Sequence, residues 1–171
     1  AETAERRGGG RMIDITDKLQ KHTSHKYKPR LATAIKQIVI HHSATKPISV
    51  SGIADAEAFA RYHVIELGWP GIGYHYVIGK DGTVLKTNPN SVSSYHAGKA
   101  NATSIGVCLV GAFDAKEPPQ EQWEAALRLT RELMGAYGIP VERVIGHREV
   151  PANKSCPGNR FDMDKFRRCL T

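Results

Sequence analysis

The spacing of hydrophobic residues predicts two helices in the central and C-terminal parts of the chain. In "IADAEAFARYHVIEL", residues 53–67, apolar residues recur close to the helical period, and Gly68 ends the run. A second apolar stripe runs from Trp123 to Tyr137 within residues 119–138, where Gly138 is a typical helix stop. We expect both helices to pack one face against a core.

Period-2 and continuous apolar runs predict strands between and after these helices. "QIVIHH" at 37–42 and "SIGVCLVG" at 104–111 are typical of buried strands, and "YHYVIGKDGTVLKT" at 74–87 is typical of a hairpin that turns at Asp81-Gly82. "VERVIG" at 141–146 predicts a last strand. Because helices and strands alternate around one hairpin, we predict an α/β fold: a single three-layer domain with a central mixed β-sheet flanked by helices.

The N-terminal part of the chain has no such pattern. We predict that residues 1–36 are a basic arm, with 1–11 disordered and 12–36 irregular or partly helical, and that 37–171 form the domain. The chain has 171 residues, of which 40% are hydrophobic. This length suits one domain with a real core.

Charge adds a candidate partner for the arm. The formal net charge is +7, and residues 1–30 hold eight basic and four acidic residues, so +4 of the total lies there. Such a segment suits an anionic wall polymer or lipid, or is a solvated arm without a partner. Nucleic acid is not expected, because Tyr27 is the one aromatic residue of the segment and no recognition motif occurs. Neither a membrane span nor a secretory signal is recognisable in the sequence.

The three cysteines are Cys108, Cys156 and Cys169. An odd, scattered set argues against a disulfide framework, although a bond between Cys108 and Cys169 stays open at this stage. We expect the thiols to be reduced or to bind a metal.

Histidines stand at the ends of two predicted strands. His41 and His42 close the first strand, His147 follows the last, and Cys156 comes nine residues later in a loop with Pro and Gly. Two imidazoles and one thiolate suit zinc, and three protein ligands leave a fourth position open, as in catalytic sites. The spacing alone does not distinguish a zinc site from packed residues.

Four motifs in order change this picture. They are "IVIHHSAT", "GIGYHYVIGKDGTV", "HAGKANATSIGVCLVG" and "GHREVPANKSCP". Together they closely resemble the zinc-dependent N-acetylmuramoyl-L-alanine amidases of the type-2 amidase family, which includes T7-type lysozymes and peptidoglycan recognition proteins. The resemblance covers about residues 37–168.

The resemblance implies roles for individual residues. His41, His147 and Cys156 match the zinc ligands, while Tyr74 and Lys154 match catalytic residues. The segment from His147 to Cys156, which contains Lys154, is one residue longer than in T7-like sequences.

The implied reaction is hydrolysis of the amide between N-acetylmuramic acid and L-alanine in bacterial peptidoglycan by zinc-activated water. Lys154 is the candidate donor to the carbonyl oxygen, and Tyr74 is expected to orient water or share in proton transfer. His96 matches a position near the substrate, so we predict that it binds substrate.

Other polar residues have simpler explanations. We expect His42 and His75 to be packed or structural, because each alternates with a site residue along a strand. Cys108 is expected in the core. Trp69 suits either a sugar-binding groove or a helix cap, and Glu149 either orients a ligand or pairs with Arg148.

Several functions fit this resemblance. The first is a phage endolysin, monomeric, held in the host cytoplasm until it is released to the wall. The alternatives are a secreted bacterial autolysin and a non-catalytic recognition module, in which the resemblance implies loss of the cysteine ligand. A muropeptide-recycling amidase would carry a carboxylate in place of Cys156. Deletion of residues 1–30 is expected to spare hydrolysis and to weaken salt-sensitive binding to cells.

Overall fold

A seven-stranded sheet forms the centre of the protein. The structure is a computed structural model that describes residues 4–7, 10–150 and 154–171, so part of the predicted disordered segment 1–11 lies outside the described residues. The strands are β1 (Ala4–Arg7), β2 (Gly10–Asp14), β3 (Lys28–Pro29), β4 (Gln37–His42), β5 (Tyr76–Ile78), β6 (Val84–Lys86), β7 (Val92–Ser93), β8 (Ser104–Leu109) and β9 (Val144–Gly146). Strands β3 and β7 pair separately as a two-stranded ribbon.

The sheet is mixed and has the order β1-β2-β6-β5-β8-β4-β9. Strand β4 is parallel to both neighbours, β8 and β9, and β5 is parallel to β8. The predicted hairpin is confirmed as the antiparallel pair β5–β6, and Gly82 in its turn has a φ of 89°. The buried strands are continuously apolar because both faces of the sheet are covered.

Within the part of the chain that the structure describes, three α-helices cover the sheet: α1 (Ile53–Arg61), α2 (Gln120–Tyr137) and α3 (Met163–Leu170). A π-helical turn, Tyr62–Glu66, continues α1, and Gly138 ends α2 at a φ of 62°. None of the helices that the structure describes has the length and apolar character needed to cross a membrane. The predicted helices α1 and α2 are confirmed, whereas α3 has no counterpart among the predictions.

Alternating side chains of the strands divide the core into two parts. Ile38 and Ile40 of β4 pack with α2 and α3, whereas Val77 and Cys108 pack in the cluster that contains α1. Helices therefore lie on both sides of the sheet, and the predicted α/β fold with three layers is confirmed. The sheet provides a rigid frame whose strand ends can hold functional residues.

Residues 12–36 belong to the domain, so the predicted boundary at residue 37 is corrected. Strand β2 pairs in parallel with β6 of the main sheet. Ile13, Ile15 and Leu19 are buried in the α1-side cluster. The burial of these three apolar side chains stabilises the segment on the sheet. The segment therefore folds there although its sequence has no recognisable periodicity.

Candidate active site

The ends of two neighbouring strands bring the first two candidate ligands together. Strands β4 and β9 are parallel, and Ile40 lies opposite Gly146. His41 and His147, each one residue further, therefore reach the same edge of the sheet, and their ring centroids are 4.6 Å apart. The predicted convergence of these two histidines follows directly from the strand register.

Arg148 fastens the loop that carries the third candidate. Its backbone N–H donates to the carbonyl of Cys156 at 2.7 Å. Its guanidinium donates to the carbonyls of Gly158 and Phe161, both at 2.7 Å. The Cys156 Sγ lies 3.7 Å from His41 Nδ1. A single arginine thus folds the loop back so that the thiol faces the two histidines.

His41, His147 and Cys156 together form a group that could hold a metal ion. One ligand atom from each lies within 4.8 Å of the other two. Two imidazole nitrogens and a sulfur are a donor set that suits zinc, and three protein ligands leave one position for water or substrate. The residues that the resemblance implies as ligands therefore lie together.

Burial sets the protonation of these three groups. The pKa of His41 is well below its usual value because the ring is buried and because His147 lies beside it. A neutral imidazole has a lone pair for a metal. Burial raises the pKa of the Cys156 thiol to about 11. The thiol must therefore lose a proton when it binds a metal ion.

Tyr74 lies at the wall of the same site. Its ring centroid is 5.3 Å from that of His41, and its ring also packs near Phe59. Burial, followed by the nearby Cys108 and Cys156, raises the pKa of the Tyr74 phenol well above its usual value. The hydroxyl is therefore protonated at neutral pH and is a hydrogen-bond donor.

Lys154 is exposed and lines the cleft beside the candidate ligands. Burial comes first and the Lys154 charge second among the causes that lower the pKa of His147. The ammonium group is thus close enough to act on charges in the site. Residues 151–153, in the segment predicted to be one residue longer, lie outside the described residues.

His96 is buried behind His41 and does not point freely into the cleft. Its Nδ1 lies 2.9 Å from His41 Nε2, and its Nε2 lies 3.1 Å from the Ser104 Oγ. Both ring nitrogens thus have protein partners. The predicted contact between His96 and substrate stays a prediction, and the hydrogen bonds indicate a different function.

A cleft of about 1100 Å³ opens above these residues. One wall is aromatic: the His63 and Trp69 ring centroids are 4.6 Å apart, and those of Trp69 and Tyr95 are 5.7 Å apart. His63 Nδ1 accepts a hydrogen bond from the Gly73 N–H at 2.9 Å. Since burial lowers the pKa of His63 to about 4, the ring is neutral and carries its proton on Nε2.

Sequence reasoning did not single out His63. The residue falls inside a run that reads as an amphipathic helix, where one histidine carries no specific signal. Its place in the cleft depends on the π-helical turn after α1. Trp69, for which two interpretations stayed open, lines the cleft.

The residues expected to be structural lie in packed positions. His42 Nδ1 accepts a hydrogen bond from the Phe113 N–H at 3.0 Å, and His75 is fully buried. Cys108 is fully buried in the core, as predicted. All three cysteines have free thiols, so the bond between Cys108 and Cys169 is not formed.

Glu149 supports the turn that presents His147. Its carboxylate accepts a hydrogen bond from the Gly146 N–H at 2.6 Å and lies 3.0 Å from Arg167 Nη1. The partner is therefore Arg167 of α3, whereas the sequence suggested Arg148. The hydrogen bonds fix the backbone immediately before His147.

Comparison with known proteins agrees with this geometry. The family model described as N-acetylmuramoyl-L-alanine amidase, Amidase_2, matches residues 31–159. The endolysin of Escherichia phage T7 is 37% identical over 136 residues, which cover 75% of this chain and 83% of the phage protein.

Solved structures show the same fold. The Ph2119 endolysin from the Thermus scotoductus bacteriophage Ph2119 superposes with a TM-score of 0.76 and 28% identity, covering 94% of this chain and 99% of its own. A variant of Drosophila PGRP-LB in complex with tracheal cytotoxin has a TM-score of 0.75 and 26% identity, covering 87% of this chain and 89% of its own. Among these relatives are both phage endolysins and a recognition protein.

Proposed function

Because the chain belongs to the N-acetylmuramoyl-L-alanine amidase family Amidase_2, we propose that it is a phage endolysin whose zinc site hydrolyses peptidoglycan. The bond cleaved is the amide between N-acetylmuramic acid and L-alanine. The observation that carries the proposal is the convergence of His41, His147 and Cys156 at the floor of a large cleft. The endolysin assignment is supported by the phage relatives. We infer that the protein is monomeric and stays in the host cytoplasm until it is released to the wall.

His41, His147 and Cys156 would hold the zinc ion. When bound, zinc lowers the pKa of its water to about 7 and polarises a carbonyl, which supplies the two things that amide hydrolysis lacks. The neutral state of His41 suits this function, since the imidazole needs no deprotonation before it binds. The Cys156 thiol releases one proton on binding.

Lys154 is proposed to stabilise the charge that builds on the carbonyl oxygen during attack. The side chain is exposed at the cleft and adjoins the ligand group. A cation aimed at this oxygen is strongest when negative charge has developed there, so it favours the transition state over the bound substrate. Comparable oxyanion donors contribute about 3 to 4 kcal/mol.

Tyr74 is proposed to act as a hydrogen-bond donor. Its raised pKa keeps the phenol protonated, which disfavours the proton-accepting function that the sequence left open. The neutral hydroxyl of this ring, whose centroid lies 5.3 Å from that of His41, can orient the attacking water or hold the substrate carbonyl. Replacement by phenylalanine would keep the ring packing and remove this donor.

The cleft has the character of a sugar- and peptide-binding groove. Trp69 and Tyr95 form an apolar wall, and the His63 Nε2–H supplies a neutral donor next to it. Aromatic faces suit the apolar faces of sugar rings, and the volume of about 1100 Å³ admits a muropeptide-sized ligand. The recognition-protein relative bound to tracheal cytotoxin supports a peptidoglycan fragment as the ligand class.

The bond assignment is tested by mass spectrometry of purified peptidoglycan after digestion. We expect glycan strands with free lactyl groups, and peptides that begin with L-alanine. Cleaved glycosidic bonds, or peptides cut at another residue, would contradict the amidase assignment. Intact peptidoglycan that nevertheless binds the protein would favour the non-catalytic recognition module.

The site residues are tested by substitution combined with metal analysis. Cys156→Ala should lose both zinc and activity, because two histidines remain. Lys154→Ala should keep zinc and lose about 100- to 1000-fold in turnover, the range for loss of one oxyanion donor.

Cys169→Ala is the matched control, since this thiol lies in α3 away from the cleft. It should retain metal content and activity. A Cys156→Ala protein that is fully active without zinc would refute the proposed metal site.

A further inference from the structure

His96 and Ser104 form a buried hydrogen-bonded chain behind His41. The exposed fraction of His96 is 8%, and Ser104 is fully buried. His41 Nε2 lies 2.9 Å from His96 Nδ1, and His96 Nε2 lies 3.1 Å from the Ser104 Oγ. The Ser104 Oγ in turn lies 2.6 Å from the Ala100 carbonyl oxygen.

The direction of each hydrogen bond follows from the far end of this chain. The Ala100 carbonyl can only accept, so the Ser104 hydroxyl donates its one hydrogen there. The Ser104 oxygen must then accept from the His96 Nε2–H. A neutral His96 with its proton on Nε2 has a lone pair on Nδ1, which accepts from the His41 Nε2–H.

This series of hydrogen bonds therefore determines which nitrogen of His41 is free to bind a metal ion. With its proton on Nε2, a neutral His41 has its lone pair on Nδ1, and this atom faces the Cys156 Sγ at 3.7 Å. The opposite arrangement would place the proton on Nδ1, where it would block a metal ion. The Ala100 carbonyl, acting through the side chains of Ser104 and His96, thus selects the tautomer of His41.

The surroundings keep the His96 ring in this place. A Cβ atom at position 106 would lie 2.6 Å from His96 Cγ, so the glycine there leaves room for the ring. The backbone N–H of His96 donates to the Asn101 Oδ1 at 2.9 Å. Arg30 donates to the Ser104 carbonyl at 2.7 Å, which fixes the other end.

We propose that His96 is a positioning residue which, through Ser104, holds His41 in the tautomer that presents Nδ1 to the metal ion. The inference rests on the proposed function, since it takes His41 as a zinc ligand. Partners of ligating histidines typically change metal affinity or activity by about 10- to 100-fold when they are replaced. His96 then acts through His41 and not through a contact with substrate.

The test compares two replacements of equal shape. In His96→Asn, an amide oxygen can take the place of Nδ1 and accept from His41, whereas His96→Leu removes the ring equally and offers no acceptor. We expect His96→Leu and Ser104→Ala to weaken zinc binding by about 10- to 100-fold in competition with a chelator. His96→Asn should recover part of that loss.

Ser94→Ala is the control for the serine replacement. Ser94 is also fully buried, and its hydroxyl lies beside His75 and not beside His96. This variant should keep the zinc affinity of the unmodified protein. Thermal unfolding of each metal-free variant shows whether the protein is folded.

A second readout is spectroscopic and needs no bound metal ion. Nitrogen chemical shifts of His41 in the metal-free protein should identify Nε2 as the protonated nitrogen, and in Ser104→Ala this preference should weaken. If His96 and Ser104 had only a structural function, their replacement would leave zinc affinity unchanged in folded variants.

Three results would overturn the inference: a protonated Nδ1 on His41, equal zinc affinity in the Asn and Leu variants, or a raised KM with unchanged zinc affinity. The last would assign His96 to substrate binding. Failure of the proposed function looks different, because the unmodified protein would then fail to release peptides from peptidoglycan whatever its zinc affinity.

Discussion

Arg148 shows how much of the site depends on a single side chain outside the ligand set. Its guanidinium spans two backbone carbonyls, those of Gly158 and Phe161, while its own N–H holds the Cys156 carbonyl. The planar guanidinium of an arginine can donate to several carbonyls at once, whereas the ammonium of a lysine is a single compact group that cannot span them. The position of the Cys156 thiol thus depends on Arg148, the residue next to His147.

We predict that Arg148→Lys weakens zinc binding by about 10-fold or more, because the loop of Cys156 loses two fixed hydrogen bonds. Chelator competition measures the change. Arg143→Lys, at an exposed position before β9, is the matched control and should have no effect. Unchanged affinity in the Arg148 variant would show that the loop holds its shape without this clamp.

At the residue scale, the sequence predicts the candidate ligands better than the residues that position them. The convergence of His41, His147 and Cys156 can be predicted, because strand ends and a loop with Pro and Gly are recognisable in the sequence. Arg148 contacts main-chain carbonyls, and the hydrogen-bonded series that holds His96 ends, through Ser104, at the main-chain carbonyl of Ala100. Such acceptors are present at almost every residue, so no sequence pattern distinguishes the ones that matter.

Among the elements, the segment from residue 12 to 36 departs most from the expectation. The Tyr27 hydroxyl lies 2.8 Å from the carbonyl oxygens of both Gly71 and Ile72, and Arg30 donates to three carbonyls of the domain. Deletion of residues 1–30 would remove these contacts together with β2. The expectation that such a deletion spares hydrolysis is therefore wrong in its premise, because the segment is part of the core.

We predict that Ile13→Ala lowers the free energy of unfolding by about 2 to 4 kcal/mol, the usual cost of removing a buried isoleucine side chain. Ile13 is 3% exposed. Ile48→Ala is the matched control, because Ile48 is 67% exposed and should cost little. Urea denaturation measures both variants. Equal stability of the two would mean that β2 contributes nothing to the domain.

The elements found from the sequence are those with a strong period or a strong turn signal. Helices α1 and α2, the hairpin and the buried strands meet this condition. Strand β2 and helix α3 are short, with five and eight residues, and they gain their stability from packing against the sheet. Elements fixed by tertiary contacts lack a local signal that sequence reasoning could use.

The whole molecule contains a fully buried histidine whose protonation opposes folding. Burial lowers the pKa of His75 to about 3, against about 6.5 in an unfolded chain. Its Nδ1 accepts a hydrogen bond from the Gly106 N–H, which a proton on this atom would break. The unfolded state therefore binds the proton first as the pH falls.

Stability from this source is complete above about pH 6.5 and is lost as the pH falls toward about 3, since the folded-state pKa is the lower one. We predict that the free energy of unfolding of the metal-free protein declines in this window. In His75→Phe the decline should be shallower by about 1.4 kcal/mol per pH unit. Urea titrations at several pH values measure the slopes. Identical slopes in the two proteins would contradict the prediction.

The net charge is also a property of the whole molecule. The net charge of +7 suits the anionic polymers and lipids of a bacterial envelope, and we propose them as secondary partners. Arg30 is used inside the domain, so the exposed Lys26 and Lys28 are better candidates for this contact.

We predict that the double variant Lys26→Glu and Lys28→Glu binds whole cells less well at low salt, and that the difference disappears at high salt through screening. The matched control replaces both lysines by arginine and should bind as the unmodified protein does. Cell sedimentation measures the bound fraction. Equal binding of the two double variants at low salt would exclude this surface.

The distance along the chain between the candidate ligands has a consequence for when the proposed site is completed during synthesis. His41 and Cys156 are 115 positions apart, and between them lie most of the sheet and helix α2. A chain is synthesised from its N-terminus, so a nascent chain that has reached α2 carries the first ligand alone. Under the proposed function, a nascent chain that stops before Cys156 therefore lacks one of the proposed ligands and is expected not to hydrolyse the wall.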